Sequence, residues 1–353
     1  MRDVGVISYA TSAVARDVVH NEVEIIVPVL GEAIARSTMA KADIGFVCSG
    51  SLDYLFGGPF AFVAGVDAVG AVPSIRESHV EMDAAWALYE AWCYIQTGEV
   101  DSALIYGFSK GSSGDPLELM TVQTDPYYTV PLWPSMSDMA ALQARAFMHR
   151  TGATEHDLAE VAARAQRNGM SIDYAVRAAS DASAARLLAE SPLVSDPLRE
   201  SDIFPVSDGA TVIVIAADDV ARKHCARPAW IRGFDHRIDA MSFGVRDLSR
   251  SASATLAAKK ADVAGGDVDI AELHAQFSHE ELLLTEALGL DPVKTNINPS
   301  GGPLAANVIM AAGLNRIGEV ANAITNGDAR RGVAHVSSGP CLQHNMVCVL
   351  EGE

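Results

Sequence analysis

The sequence has few basic residues for its length. Its 353 residues include 26 Lys and Arg against 45 Asp and Glu, which gives a formal net charge of −19 at pH 7. A surface of this charge repels nucleic-acid phosphates and anionic lipid head groups, and no Lys/Arg-rich run offsets it. The composition therefore argues against a nucleic-acid-binding or membrane-surface protein.

Long apolar segments are also missing. The longest uninterrupted apolar stretches, such as residues 212–217, are far too short to span a bilayer. The start, Met1-Arg2-Asp3, lacks the charged-then-apolar pattern of a signal peptide. We therefore expect a soluble, cytoplasmic protein.

Cysteine is scarce, and its spacing excludes two common uses. No Cys-x-x-Cys pair occurs, so neither a disulfide framework nor a zinc site is expected. The segment at His279 lacks the second histidine of a zinc-binding helix, and there is no P-loop, dinucleotide fingerprint or Gly-x-Ser-x-Gly elbow. We expect no metal and no redox cofactor. The five cysteines are Cys48, Cys93, Cys225, Cys341 and Cys348.

What the sequence does contain is an alternation of short apolar runs and amphipathic stretches, which is typical of an α/β protein. One helix is predicted to begin after Thr154, because Asp157 follows at the spacing of a capping box. The prolines within residues 115–134 indicate an excursion from the regular layers. The predicted strands are 4–8, 44–48, 102–106, 211–216, 268–273, 332–336 and 346–350.

The two halves of the chain share a pattern. Residues 43–48 and 269–274 have similar strand-like sequences, and the same offset relates Glu81 to Asn307. Each of these two residues precedes an apolar helix and then a strand, which indicates a duplicated architecture. Helix N-termini concentrate unpaired N–H groups, so they suit thioester oxygens or nucleophiles. We predict two central helices, over 81–98 and 307–326, whose N-termini converge on one pocket.

Four motifs resemble those of the thiolase superfamily, and within it the sterol-carrier (SCP-x) and lipid-transfer thiolases. The most specific is ELHAQFS at 272–278 with EALGL at 286–290, which is similar to the family segment ELHDCFS…EL…EALGL. The others are SDGA at 207–210, NPSGG at 298–302 and LQHN at 342–345.

The resemblance covers nearly the whole chain and implies an α/β thiolase fold, with duplicated halves in a five-layered α/β/α/β/α arrangement. On this basis we expect residues 1–220 to form the N-terminal half, including a loop excursion over about 111–205. Residues 221–353 would form the C-terminal half.

The same resemblance implies that the residues for carbon–carbon bond formation have been lost. The family's nucleophilic cysteine corresponds to Glu81, and a carboxylate cannot replace a thiolate. The histidine that activates it corresponds to Asn307, and the cysteine of the HDCF motif corresponds to Gln276. His274, which in relatives helps to polarise the thioester oxygen, remains. Only the oxyanion side of the site is therefore retained.

Several candidates have both a catalytic and a structural interpretation. Glu81 and Asp83 are either acid/base groups or charges that complement a helix dipole. We interpret His274 as an oxyanion donor rather than a structural histidine. His344 either faces the pocket as an alternative base or holds a loop. The candidate substrate-binding residues are Asn307, Gly301 and Gly302.

The retained groups suit a lyase. Retro-aldol cleavage of a β-hydroxyacyl-CoA, carrying a steroid or lipid side chain, requires a base and an oxyanion site but no nucleophilic cysteine. Coenzyme A would be part of the substrate, and no separate cofactor is expected. The alternatives are a non-catalytic acyl-CoA- or lipid-binding subunit, and an acetyl-CoA acetyltransferase that uses Cys341 or Cys93.

The resemblance also implies partners. Thiolase-like aldolases of bacterial steroid side-chain breakdown, which this sequence resembles in lacking the thiolase cysteine, act with a small OB-fold partner of the DUF35 type. We therefore expect such a partner, together with a thiolase-type homo- or heterodimer. An edge strand around residues 102–106 would pair in that dimer.

Overall fold

The computed structural model describes residues 2–353. The strands are β1 Val4–Val14, β2 Phe46–Gly50, β3 Glu77–Val80, β4 Ser102–Lys110, β5 Leu193–Ser195, β6 Leu198–Arg199, β7 Asp208–Ala217, β8 Ala229–Ile238, β9 Ile270–Leu273, β10 Asn296–Ile297, β11 Arg331–Ser338 and β12 His344–Glu351. The helices are α1 Glu22–Ser37, α2 Asp53–Phe56, α3 Phe62–Val69, α4 Ala84–Gln96, α5 Pro116–Leu119, α6 Met136–Thr151, α7 Glu155–Gly169, α8 Ala184–Glu190, α9 Asp218–His224, α10 Ala252–Lys260, α11 Ser278–Ala287 and α12 Ala312–Asn326.

Two groups of five strands form one mixed sheet. Its order is β10-β9-β11-β12-β8-β1-β7-β4-β2-β3. From the outer edge inwards, the N-terminal half has the order β3, β2, β4, β7, β1, and the C-terminal half has the order β10, β9, β11, β12, β8. In both halves these are the third, second, fourth, fifth and first strands of the sheet in chain order. The halves join where β1 pairs briefly with β8. This shared order confirms a duplicated α/β architecture, whereas the boundary at residue 220 stays a prediction.

The core is layered as expected. Helices α4 and α12 lie between the two halves of the sheet and pack against strands of both. Helices α1, α3 and α9 cover the outer face of the N-terminal half. Helices α10 and α11 cover the C-terminal half. The result is the predicted α/β/α/β/α arrangement. More than half of the residues of each central helix are buried.

Both central helices begin later than predicted. Asp83 is the N-cap of α4 and accepts a hydrogen bond from the backbone of Ala85 at 2.9 Å, so Glu81 lies outside the helix. Helix α12 begins at Ala312, after a loop that contains Asn307. The predicted start of α7 is confirmed by a capping box between Thr154 and Asp157.

Two strand assignments need correction. Strand β4 is interior, because it pairs with β2 on one side and β7 on the other. It therefore offers no free edge for a dimer, and the edges of the sheet are β3 and β10. Strand β8 was not predicted, since Arg232, Asp235 and Arg237 interrupt its apolar pattern along a partly exposed stretch.

Between β4 and β7 the chain leaves the sheet. This excursion contains α5 to α8 and the small antiparallel pair β5–β6. Its proline-rich part, residues 115–134, holds only α5 and short turns. No helix in residues 2–353 is long and apolar enough to cross a bilayer.

Candidate functional site

The main pocket lies at the carboxyl ends of β9 and β11, and its empty space is about 520 Å³ when the open solvent at its mouth is included. The excursion supplies one wall, and the loop before α12 supplies another. The polar lining residues are Asp83, Gln123, His274, Gln276, Ser337 and Ser338, and the remaining ones are Met120, Met136, Met139, Ile309, Met310, Gly339 and Pro340.

His274 directly follows β9 and is buried. The backbone N–H of Ser337 donates to Nδ1 at 3.3 Å, so the proton of a neutral ring is on Nε2. Burial, together with the nearby His335 and Arg316, lowers the pKa of His274 to about 3. Asn307 lies beside the ring and acts in the opposite direction. Nε2 makes no hydrogen bond of standard geometry within the described chain. His274 thus contributes a neutral N–H donor to the pocket.

Asp83 joins the two central helices. Its Oδ1 accepts from the backbone N–H groups of Ala85 at 2.9 Å and Leu314 at 3.0 Å. Its Oδ2 accepts from Gly313 at 2.8 Å. Burial raises the pKa of the Asp83 carboxyl, and the three N–H donors act against that rise. One carboxylate therefore caps α4 and the start of α12 at once.

This arrangement changes the oxyanion prediction. The N-termini of two helices favour negative charge, and their N–H groups would bind a substrate oxygen if they were free. Here the N–H groups of Ala85, Gly313 and Leu314 already hold Asp83. Of the groups that the sequence predicted for an oxyanion site, His274 is therefore the donor whose N–H is not already taken by Asp83.

The structure does not bring Glu81 into the main pocket. Glu81 is exposed, and its carboxylate accepts from the backbone N–H of Asp53 at 2.9 Å. Asn307 is fully buried, and its backbone exchanges hydrogen bonds of 3.2 Å with Ser207. Its side-chain amide has no partner among residues 2–353. Asn307 thus lies next to His274 but does not line the main pocket, whereas Glu81 stabilises a turn at the surface.

His344 also lies outside the main pocket. Its ring centroid is 4.7 Å from that of Trp86, and its Nε2 is 3.2 Å from Nδ1 of His236. Burial and the neighbouring His236 lower the pKa of His344 to about 4. The ring therefore belongs to an aromatic group beside α4 instead of serving the pocket.

Gly301 and Gly302 shape a turn at the back of the site. Their φ angles are +84° and +61°, which glycine adopts without strain. A Cβ atom on Gly301 would lie 2.5 Å from the carbonyl oxygen of Ala165 in α7. These glycines allow close backbone packing and do not line the main pocket.

None of the five cysteines lines the main pocket. Cys341 follows the lining residue Pro340, but its Sγ donates to the carbonyl oxygen of Met139 at 3.2 Å. Burial raises the pKa of Cys341 to about 12. Cys93, on α4, is half-buried and its pKa is also raised by burial. Neither thiol is prepared to act as a thiolate.

A buried ion pair supports the strand that carries His274. Arg316 on α12 and Glu272 on β9 are both fully buried and bonded to each other. Ser300 donates to Glu272 at 2.8 Å and accepts from Arg316 at 2.7 Å. These contacts tie β9, α12 and the NPSGG loop together. Sequence reasoning gave Glu272 only as part of a motif, since nothing local reveals its distant partner.

Other lining residues were missed as well. Gln123 and Met120 come from the proline-rich excursion, whose irregularity was visible but whose position was not. Met310 has a φ of +73°, and its carbonyl oxygen accepts from Ala84 N–H at 2.9 Å. No sequence signal marks a methionine for the left-handed region. Ser337, which sets the tautomer of His274, had no motif of its own.

Comparisons with known proteins agree with this architecture, although no family model matches the chain. The chain is 24% identical to acetyl-CoA acetyltransferase of Methanocaldococcus jannaschii, over 91% of this chain and 89% of that protein. It is 25% identical to human sterol carrier protein 2, over 90% of this chain and 65% of that protein. In another match, it spans 58% of the Methanothermobacter thermautotrophicus acetyl-CoA acetyltransferase.

Among solved structures, the fold is similar to that of a protein described as "Ltp2-ChsH2(DUF35) aldolase". The TM-score is 0.81 at 18% sequence identity, and the alignment covers 99% of this chain and 97% of the other. At this identity the similarity concerns the fold, and the two chains share it over nearly their full lengths.

Proposed function

Since this chain is a thiolase-superfamily protein, we propose that it binds an acyl-CoA thioester in the main pocket and cleaves a β-hydroxyacyl-CoA by a retro-aldol reaction. The observation that carries this proposal is the neutral His274 in the pocket wall, whose Nε2–H makes no hydrogen bond of standard geometry within residues 2–353. A fixed donor in a water-poor site stabilises the charge that develops on a thioester oxygen. Coenzyme A enters as part of the substrate.

The reaction needs one proton acceptor. Asp83 is the carboxylate that lines the main pocket, and its Oδ2 accepts only one hydrogen bond within residues 2–353. Oδ2 takes the proton of the β-hydroxyl, the C–O bond becomes C=O, and the Cα–Cβ bond breaks. The electron pair of the Cα–Cβ bond passes into a thioester enolate, whose oxygen accepts a hydrogen bond from His274. Return of the proton to Cα gives an acyl-CoA and a ketone or aldehyde.

The lining of the main pocket supports a bulky apolar acyl group, such as a steroid or lipid side chain. Four of its lining residues are methionines, namely Met120, Met136, Met139 and Met310. Methionine side chains are flexible and polarizable, so they adapt to irregular ligands. Acyl transfer is less well supported, because no thiol lines the main pocket and burial raises the pKa of Cys341.

For partners, we propose a thiolase-type dimer and a DUF35-type OB-fold subunit. The solved aldolase of similar fold names such a subunit in its own description. Sheet edge β3 is partly exposed and is the free edge of the N-terminal half. That edge replaces β4 as the strand available for pairing.

One observation favours a second candidate function. Three backbone N–H groups hold the Asp83 carboxylate and act against the rise in its pKa that burial causes. If Asp83 serves only to cap the two central helices, the pocket has no base for the β-hydroxyl proton and would bind a thioester without cleaving it. The chain would then be the acyl-CoA-binding subunit of a heteromeric complex.

The test is to co-express the chain with a DUF35-type OB-fold protein and to supply branched-chain and steroid β-hydroxyacyl-CoA. We expect release of a carbonyl product and no covalent acyl adduct by mass spectrometry. Tight binding without turnover would favour the binding subunit. An acyl adduct on Cys341 or Cys93 would contradict both candidates.

A further inference from the structure

A second cavity, here called the side pocket, lies in the N-terminal half, and its empty space is about 250 Å³ when the open solvent at its mouth is included. It lies at the carboxyl ends of β2 and β4, which are parallel neighbours. Ligands of parallel sheets bind at these ends of the strands. Its lining residues are Glu22, Ser51, Leu52, Leu55, Phe56, Ala61, Phe108, Ser109, Lys110 and Met310.

The side pocket is the counterpart of the main pocket under the duplication. Strands β2 and β4 occupy the places in their half that β9 and β11 occupy in the other. Ser51 directly follows β2, as His274 directly follows β9. Ser109 and Ser337 are both the next-to-last residues of their strands. The polar groups of the two pockets thus come from equivalent positions.

The two serines of the side pocket are buried polar groups without a protein partner. Ser51 is 2% exposed and Ser109 is 5% exposed. Neither Oγ makes a hydrogen bond within residues 2–353. A buried hydroxyl without a partner is unfavourable, so such a group is expected to bind an ordered water or a ligand. The surrounding walls are apolar, with Leu52, Phe56 and Phe108.

The charged groups at this pocket have other roles. Lys110 donates from Nζ to the backbone carbonyl oxygen of His20. Glu22 is the first residue of α1 and lies in its acidic first turn, where a carboxylate complements the helix dipole. The buried polar groups left for a ligand are therefore the two neutral hydroxyls, whereas Glu22 and Lys110 are partly exposed.

Met310 is the residue that the two pockets share. Its backbone is held with φ +73°, and its carbonyl oxygen bonds to Ala84. A Cβ atom on Gly107 would lie 2.4 Å from that oxygen, so the strand must have glycine there for Met310 to stay in place. Strained backbone is retained where its position matters. The flexible Met310 side chain can move aside for an acyl chain.

We propose that the side pocket is the distal lobe of the substrate site and selects acyl chains that carry a neutral oxygen, either a hydroxyl or a carbonyl. This inference rests on the proposed function, in that the thioester lies at His274 and the chain runs past Met310. Ser51 and Ser109 hydrogen-bond the oxygen, because each hydroxyl can both donate and accept. They are specificity residues and take no part in bond cleavage.

The test measures binding, so it does not depend on turnover. Dissociation constants are determined calorimetrically for hexanoyl-CoA and for its 4-, 5- and 6-hydroxy derivatives. We expect at least one hydroxy derivative to bind about tenfold more tightly than hexanoyl-CoA. The combined Ser51→Ala and Ser109→Ala variant should lose this preference and bind hexanoyl-CoA as before.

Ser102→Ala is the matched control. Ser102 is buried at the other end of β4, and its hydroxyl already donates to the carbonyl oxygen of Asp43 at 3.2 Å. The Ser102→Ala variant should keep the preference for the hydroxy derivative. Each single serine variant is also melted, and loss of an unpaired hydroxyl should not lower the melting temperature.

The outcomes separate the two claims. A preference that survives in the double serine variant, or no preference with any hydroxy derivative, overturns the side-pocket inference while leaving the thioester site intact. If none of the thioesters binds, the proposed function fails and the inference fails with it. If the double serine variant loses the preference and no turnover is found, the side-pocket inference is supported and only the lyase activity is excluded.

Discussion

The two central helices occupy equivalent places in the fold but differ in what they bury. All the buried residues of α4 are apolar, whereas α12 buries Asn315 and Arg316. The fifth residue of each helix is Leu88 in α4 and Arg316 in α12. α4 has its own cap in Asp83, and α12 has no side-chain cap from its own N-cap residue.

The difference shows that the two halves are no longer interchangeable. The N-terminal half contributes the carboxylate that caps both helices. The C-terminal half contributes a buried polar network in which Arg316 binds Glu272, two residues before His274. The buried histidines 274, 279 and 335 also all lie in the C-terminal half. The two halves thus contribute unequally to the proposed site, and the following changes test that inequality.

The largest effect on stability is expected from Glu272→Gln. Removing one partner of a buried ion pair leaves the charge of Arg316 uncompensated, which costs about 3–5 kcal/mol in the free energy of unfolding. Urea denaturation measures it. Glu351→Gln is the matched control, because Glu351 pairs with Arg331 at 2.7 Å at a partly exposed site and should cost less than about 1 kcal/mol. Equal losses of stability in the two variants would show that the buried ion pair contributes no more than the partly exposed one.

His274→Ala should slow carbonyl release by about 100- to 1000-fold, the range for losing one oxyanion donor. The assay uses the complete complex with a β-hydroxyacyl-CoA. Cys341→Ala and Cys93→Ala should keep nearly the full rate, since neither thiol reaches the main pocket. A His274 variant with wild-type turnover would place the oxyanion donor elsewhere.

Asp83→Ala should lower the free energy of unfolding by about 2–3 kcal/mol, because three N–H groups lose their acceptor. Asp83→Asn keeps one carbonyl oxygen and should cost less. If Asp83 is also the base, Asp83→Asn abolishes turnover while the protein stays folded. Undiminished turnover in a folded Asp83→Asn variant would exclude it as the base.

His279→Gln should change how stability depends on pH. Burial lowers the pKa of His279 to about 3, so the folded state stays neutral while the unfolded state binds a proton below its pKa of about 6.5. His279 therefore costs about 1.4 kcal/mol of stability for each pH unit below that value. The stability difference between wild type and variant should shift by about 1 kcal/mol between about pH 6.5 and pH 5.5, and by nearly the full 1.4 kcal/mol over the next pH unit. A constant difference would show that His279 takes up a proton in the fold.

The smallest effect is expected from Glu81→Gln. Glu81 is exposed and bonds only to the backbone of Asp53, so stability should change by less than about 0.5 kcal/mol. The pH–rate profile should match that of wild type. A shifted profile would bring Glu81 back as a catalytic candidate and reduce the role assigned to Asp83.

Much of the fold could be predicted because its signals are local. The strands at 102–106 and 211–216 are short apolar runs, and the start of α7 is fixed by Thr154 and Asp157. The repeated pattern also gave the two central helices. The start of α4 was placed too early, since a Glu and an Asp both precede it and only the folded chain shows that Asp83 is the cap.

The site was less predictable because its decisive contacts join distant segments. The motif identified His274, but the tautomer depends on Ser337, sixty-three residues away. Asp83 was a candidate, yet its hydrogen bonds to Gly313 and Leu314 cross from one half to the other. His344 begins β12, shortly after β11 in sequence, and still faces Trp86 rather than the main pocket.

The central claim is that neutral His274 offers its Nε2–H to the thioester oxygen. Nitrogen NMR on isotope-labelled histidine, with the signal assigned through His274→Gln, measures this directly. The account predicts a ring that stays neutral with the proton on Nε2 from about pH 8 to about pH 5, and an Nε2 shift change when an acyl-CoA is added. A proton on Nδ1, a cationic ring in that range, or no response to bound acyl-CoA would contradict it.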